Sequence, residues 1–165
     1  MLDGGEDPKY IARRLIRFAS EDVGLADPVA LTHSLSASQS YERLGSPEGL
    51  LALFQATIYL ATAPKSNSVY LAQKNAMIAA KKYSSLTPPK HILNPSTKLL
   101  RDEGHGNGYL YDHDISTKFS GQNYFPDNMK REKLYNPENL GFEKEIKKRL
   151  NYWNALRKKK DHLKN

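Results

Sequence analysis

Residues 49–83 read Gly49-Leu-Leu-Ala-Leu-Phe-Gln-Ala-Thr-Ile-Tyr-Leu-Ala-Thr-Ala63, then Pro64-Lys-Ser-Asn67, then Ser68-Val-Tyr-Leu-Ala-Gln-Lys-Asn-Ala-Met-Ile-Ala-Ala-Lys-Lys-Tyr83. No charge occurs between Glu48 and Lys65, so the first half predicts a helix apolar nearly all round and therefore surrounded by protein. It is shorter than the roughly 20 residues of a membrane span and carries Gln55, Thr57 and Thr62, which favours a buried helix of a soluble bundle. Pro64 disfavours helix at the residue before it, and Lys65-Ser66-Asn67 supplies a cap for the helix that follows. The stretch is a helical hairpin joined at Pro64, Lys65, Ser66 and Asn67.

Working outward, a capping residue followed by proline recurs at Asp7-Pro8, Asp27-Pro28, Ser46-Pro47, Asn94-Pro95 and Asn136-Pro137. Each reads as an N-cap with proline at the first helical position, where the missing N–H costs nothing. Helices are expected over about residues 8–19, 28–44, 95–102 and 141–156, in addition to the two arms of the hairpin. In the first, Ile11, Leu15 and Phe18 share a face. In the second, Ala30, Ser34 and Ala37 lead to Tyr41 and Leu44 at the same spacing. Small side chains there, and Ala72, Ala76, Ala79 and Ala80 in the hairpin's second arm, predict a tight three-helix core around the apolar helix. Phe142, Ile146, Leu150 and Trp153 form the stripe of the last helix. The fold class is all-α, a helical bundle of about five to six helices, with residues 86–136 as a long, ordered, irregular segment rich in aromatics.

The 165 residues, 39% of them hydrophobic, fit one domain. It divides into residues 1–6, a helical core over 7–85, the irregular segment 86–136, a basic helix over 137–157, and a tail over 158–165 expected to be disordered. There are no cysteines, which removes disulfide and thiolate-metal chemistry and suits a reducing compartment. An acidic N-terminus without an apolar run is no signal peptide, and a cytoplasmic protein is expected. The net charge of +7 is uneven: residues 1–80 hold 7 Lys and Arg against 8 Asp and Glu, residues 81–165 hold 18 against 10. Attraction for nucleic acid therefore belongs to the second half.

Arg13, Arg14 and Arg17 precede Glu21 and Asp22, and neighbouring carboxylates do not share a helix face, so this group reads as an ion-paired corner in preference to an acid pair or metal site. Gly104-x-Gly-x-Gly108 lacks the Gly-Lys-Ser/Thr of a P-loop and follows no strand, so the chain is not expected to bind or hydrolyse ATP by itself. His105, Asp112, His113 and Asp114 have the ligand types of a divalent-metal site. A metal-dependent phosphohydrolase would need further ligands on separate helices, and the alternative is polar side chains tying down a loop. Lys144, Lys147, Lys148 and Arg157 on the last helix are candidate DNA contacts, beside Tyr152 as a stacking ring; a solvated helix face is the other reading.

Several of these stretches together resemble a known family. Ala12-Arg-Arg-Leu-Ile16, Ala19-Ser-Glu-Asp-Val-Gly-Leu-Ala-Asp-Pro28, Tyr59-Leu-Ala-Thr-Ala-Pro-Lys-Ser-Asn67, Thr97-Lys-Leu99 and Gly108-Tyr-x-Tyr-x-His-Asp114 are similar to the C-terminal region of the replication-associated recombination protein A (RarA, also MgsA) family of AAA+ ATPases. The resemblance runs from about Met1 to Trp153. It implies a fragment: the P-loop, the acidic Mg²⁺ motif and the arginine finger lie upstream in that family, so ATP and Mg²⁺ belong to the parent protein, and residues 1–6 are the end of a preceding lid. It further implies a fold like the collar of clamp loaders, assembly as a homotetramer, action on DNA at stalled replication forks, single-stranded-DNA-binding protein as a partner, and a cytoplasmic, nucleoid-associated location. The chain departs from the family at Ile92-Leu93-Asn94, where an arginine is common, and at His105, where a tyrosine is common. The expected function is non-catalytic homo-oligomerisation, with a basic DNA-binding module as the alternative and an HD-like metal hydrolase as a distant second.

Overall fold

The computed structural model describes residues 1–162. Among these residues there are six α-helices and no strand: α1 (Pro8–Phe18), α2 (Val29–Leu44), α3 (Leu50–Thr62), α4 (Ser68–Lys82), α5 (Lys98–Asp102) and α6 (Glu143–His162). The fold is an all-α helical bundle. By contact it falls into two compact units, one of residues 1–75 with 134–147, the other of residues 76–133 with 148–165. No helix among the described residues is long and apolar enough to cross a membrane.

The first unit is built on α1, α2 and α3, which pack pairwise. Its core is small: Ala12, Ala37, Leu53 and Ala56 form one buried cluster, Ala19, Val23, Ala30 and Leu60 another, and Leu15 packs against both. Alanine and serine at the contacts let helix backbones approach closely. Ser34 is buried at no polar cost because its hydroxyl donates to the Ala30 carbonyl at 2.9 Å. The small-residue pattern of α2 thus lies in the core, except that Leu44, its last member, is 64% exposed. The third core helix is α1 rather than the alanine-rich α4, whose alanines from Ala76 onward belong to the second unit.

Helix ends decide how the elements join. Asp7 caps α1 through Lys9 N–H at 2.9 Å, and Asp27 caps α2 through Val29 N–H at 3.1 Å while its other oxygen accepts from Tyr59 OH at 2.6 Å. The other three Asx/Ser-Pro pairs are not helix starts. Gly49 N–H turns back to the Gly45 carbonyl, so α3 begins at Leu50; Thr97 takes over as the cap of α5, accepting from Leu100 N–H; and Glu138 N–H is committed to a side chain, which keeps the Asn136-Pro137 stretch out of α6. At the hairpin, Ala63 is extended before Pro64, and Ser66 Oγ accepts from Ser68 N–H at 3.3 Å as the cap of α4. The segment from Lys158 to His162, expected as disordered tail, continues α6; residues 163–165 lie outside the described residues.

Helix α3 departs from expectation. Leu53, Ala56 and Leu60 are buried, but Leu51, Phe54 and Ile58 are 73%, 56% and 66% exposed, so the helix is covered on one side only.

Between α1 and α2 the chain makes a π-turn (Ala19–Val23) and a short 3₁₀ turn (Gly24–Ala26), which bury Ala19, Val23 and Ala26. Two glycines let other backbone reach this corner. A Cβ on Gly24 (φ +53°) would sit 2.9 Å from the Ser66 carbonyl, and one on Gly141 (φ +47°) only 2.0 Å from the Ala26 carbonyl. That approach lets Phe142 N–H donate to Ala26 O at 2.8 Å.

In the second unit the irregular segment is held by side-chain to backbone bonds. Lys90 Nζ donates to Glu103 O, Gln122 bridges Gly108 O and Leu110 N–H, and Lys160 Nζ donates to Phe119 O and Ser120 O. Phe119 stacks on Trp153 at 6.2 Å and lies under the Arg157 guanidinium at 5.1 Å. Substituting Gly141 by alanine adds a clash with backbone to a positive φ, and is expected to destabilise by at least about 1–3 kcal/mol in urea unfolding. Gly45→Ala, whose Cβ would meet nothing within 4 Å, serves as the control and is expected to lose less.

Candidate functional site

The most constrained polar group of the first unit is one that its local sequence disguises. Glu143 sits in a run of exposed charged residues, yet it is fully buried. Its carboxylate accepts four hydrogen bonds: Ser66 Oγ at 2.8 Å, Ser68 Oγ, Tyr135 OH at 2.8 Å and Glu138 N–H at 2.7 Å. It is also the first residue of α6, where a negative charge meets the positive end of the helix dipole. Burial pushes the Glu143 carboxyl up, but the bonds from Ser68, Tyr135, Glu138 and Ser66 outweigh it and leave the group below the usual carboxylate range. Burial, then the bond to Glu143, pushes the Tyr135 phenol up to about 12. All the donors are used in holding the carboxylate, so the arrangement is a structural clamp on the hairpin turn.

Within that turn Pro64 ends α3, Ser66 and Ser68 hold Glu143, and Ser66 N–H donates to Asp22 O at 2.7 Å. Lys65 folds back over the end of α3. Its ammonium donates to the carbonyls of Leu60 at 2.8 Å, Ala61 at 3.4 Å and Ala63, and lies 5.7 Å from the centre of the Phe18 ring. It is a C-terminal cap, the role the helix dipole favours for a cation. Asn67 is exposed, and its carbonyl accepts from Leu71 N–H. An open cleft of about 520 Å³ beside the turn is lined by Phe18, Asp22, Lys65, Asn67, Glu138 and Leu140 among others.

Of the corner residues, Arg17 and Glu21 form an ion pair at 2.7 Å, which raises the pKa of Arg17 and lowers that of Glu21. Arg13 instead lies over the Tyr10 ring at 5.8 Å, and Arg14 lines a neighbouring hollow with Glu21 and Asp22. In the histidine loop, Asp112 accepts Ser120 N–H at 2.7 Å, and hydrogen bonds from Ser120 hold its carboxyl below the usual range. His113 lies against Tyr111, 5.0 Å between ring centres. Among the described residues no group of three His, Asp or Glu side chains is placed to hold a metal ion.

Along α6, Lys144, Lys147 and Lys148 are exposed. Arg157 is nine residues, about 180° of helical rotation, from Lys148, on the side of Leu150 and Trp153, where it covers Phe119 and donates to Asn154 Oδ1 at 2.9 Å. Of the four candidate DNA contacts, Arg157 is therefore built into packing.

The described residues define an all-α module organised around a clamped helical hairpin. The chain belongs to the family described as MgsA AAA+ ATPase C terminal, which it matches over residues 1–154. It is 45% identical over 157 residues to replication-associated recombination protein A of Coxiella burnetii, covering 94% of this chain and 36% of that protein. It is 41% identical over 151 residues to the protein of the same name in Escherichia coli K12, covering 91% and 34%, and 46% identical over 150 residues to an uncharacterized protein of Thermotoga maritima, covering 91% and 24%. The chain thus spans from 24% to 36% of the length of these relatives.

Because the folded-state pKa of Glu143 is depressed, its contribution to stability is present above the usual carboxylate range and is lost as pH falls through the lower folded value. Replacing Glu143 by glutamine keeps the size but sets an NH₂ against the donors that converge on the site. The expected cost is about 1–3 kcal/mol at neutral pH, shrinking on acidification. Urea midpoints of wild type and E143Q measured from pH 7 down to pH 3 check this.

Proposed function

We propose that this chain is the self-association region of a replication-associated recombination ATPase and assembles it as a homotetramer. The observation that carries the reading is the uncovered side of α3, where Leu51, Phe54 and Ile58 recur at three- and four-residue steps while Leu53, Ala56 and Leu60 fill the core. Fully burying each such side chain stabilises by about 1.5–3 kcal/mol, more than a surface ion pair supplies, so an uncharged helix exposed along one side has its partner in another subunit. Leu31 and Leu35 on α2, and Tyr70 and Leu71 on α4, add half-exposed apolar surface to the same unit. The stiffness of an interface scaffold comes from the Glu143 clamp, which locks the turn at the end of α3.

We assign no catalytic step to this region. ATP and Mg²⁺ act in the upstream part of the whole protein, which works in the cytoplasm, on the nucleoid, at stalled replication forks with single-stranded-DNA-binding protein as a partner. The family description supports an ATPase, and the names its relatives carry support replication and recombination; Mg²⁺, the stalled fork, the nucleoid and single-stranded-DNA-binding protein are what the family resemblance implies.

Sedimentation equilibrium of the chain tests the assembly. The expected result is a tetramer that persists to low micromolar concentration, through interfaces of more than roughly 1,000 Å² each. Leu51→Glu with Phe54→Glu is expected to yield a folded monomer with unchanged helical circular dichroism. A wild-type chain that stays monomeric at high micromolar concentration overturns the reading.

A further inference from the structure

The division into units sharpens the charge asymmetry. The first unit holds 9 Lys and Arg against 11 Asp and Glu, a net of −2, whereas the second holds 16 against 7, a net of +9. Within the second unit lies an open cleft of about 540 Å³ lined by Arg131, Asn151, Asn154, Ala155, Arg157 and Lys158. Three of the six side chains are cationic, two are amides, and among these described lining residues Ala155 alone is apolar. Arg131 is exposed and lies over the Phe125 ring at 5.7 Å, which orients its guanidinium without neutralising it. The neighbouring carboxylate Glu132 acts electrostatically on Lys82. Asn154 gives its Oδ1 to Arg157, so the donating NH₂ is the end it has left to offer.

We infer that the Arg131–Lys158 cleft is a binding site for the phosphodiester backbone of nucleic acid, separate from the self-association surface. Lys148, Asn151, Ala155 and Lys158 follow one another at three- and four-residue steps on α6 and form a polar, basic edge about 15 Å long at 1.5 Å per residue. An acidic protein tail would share the anionic chemistry, but such tails anchor through apolar side chains, and the lining offers them only Ala155. Exposed Tyr152, four residues after Lys148 on the same helix, is a ring on which an unpaired base can stack. Arg157 takes no direct part here; it props the floor through Phe119 and Asn154.

The test is fluorescence anisotropy of a labelled single-stranded oligonucleotide against the wild-type chain and Arg131→Gln/Lys158→Gln across a range of salt. Both changes are on exposed side chains and are expected to leave fold and oligomeric mass intact. The double variant is expected to weaken binding roughly tenfold or more at low salt and to reduce the slope of log affinity against log salt by about 1.4, as two lost phosphate contacts require. Lys144→Gln/Lys147→Gln, on the part of α6 in the other unit, is expected to change binding less. Equal binding by wild type and R131Q/K158Q, or no binding by wild type at low salt, overturns the inference. So does a larger loss from K144Q/K147Q, and so does full displacement by millimolar inorganic phosphate, which would make the cleft a small-anion site. Tighter binding to an acidic peptide than to the oligonucleotide also overturns it. Sedimentation of the same samples reads oligomeric mass, so failure of this site and failure of the assembly are seen separately.

Discussion

One buried carboxylate fixes how the first unit is put together. Glu143 joins the start of α6 to a turn more than seventy residues earlier, and it does so with charge instead of apolar contact. An ionised group without solvent is costly unless every lone pair is engaged. Here two serine hydroxyls, a phenol and a backbone N–H together meet that demand. The geometry around it follows. Gly141 has to be glycine so that the chain can pass the Ala26 carbonyl, Ser66 must cap α4 and hold the carboxylate at once, and Lys65 is left to close α3. A run of four residues thereby ends one helix, begins the next and anchors a third.

Much of this was legible from local chemistry. Proline at position 64, serine two residues on, and aspartate before Pro8 and Pro28 act within a few residues of themselves, so their roles could be read where they stand. The pairs at Ser46, Asn94 and Asn136 mislead for the complementary reason: the backbone groups around them are claimed by Gly45, by Thr97 or by Glu143, and a local pattern does not register such competition. Glu143 itself was invisible, since Glu-Lys-Glu-Ile-Lys-Lys reads as a solvated face and its partners are 75 and 77 residues away. The one signal that pointed toward it was serine at both 66 and 68 in a turn that needs only one cap.

Helix α3 illustrates a different limit. An uncharged thirteen-residue helix states that it is covered, but not whether by its own chain or by another copy. Under the proposed self-association a partner covers the outer side, and that reconciles the expectation of complete burial with the observed one-sided burial. The core beneath it explains why its own chain does not cover it: alanine and serine on α1 and α2 allow close approach, and closely approached helices leave less surface to wrap a third. A small-residue core keeps the first unit compact and turns apolar surface outward. The charge is gathered elsewhere, in the unit that holds the irregular segment and most of α6.

The discontinuity of the first unit also bears on how the chain is made. Its two parts, residues 1–75 and 134–147, are separated by the 58 residues from Ala76 to Lys133. During synthesis α1, α2 and α3 emerge first and can pack on one another, but the carboxylate that locks their turn follows only 75 residues after Ser68. Until then Ser66 and Ser68 have water in place of Glu143, and the apolar side of α3 is exposed on an unlocked bundle. Final closure joins segments distant in sequence, the kind of step that loop-closure entropy makes slow. The first unit therefore completes its own fold late, and the surface proposed for self-association becomes rigid only at that moment.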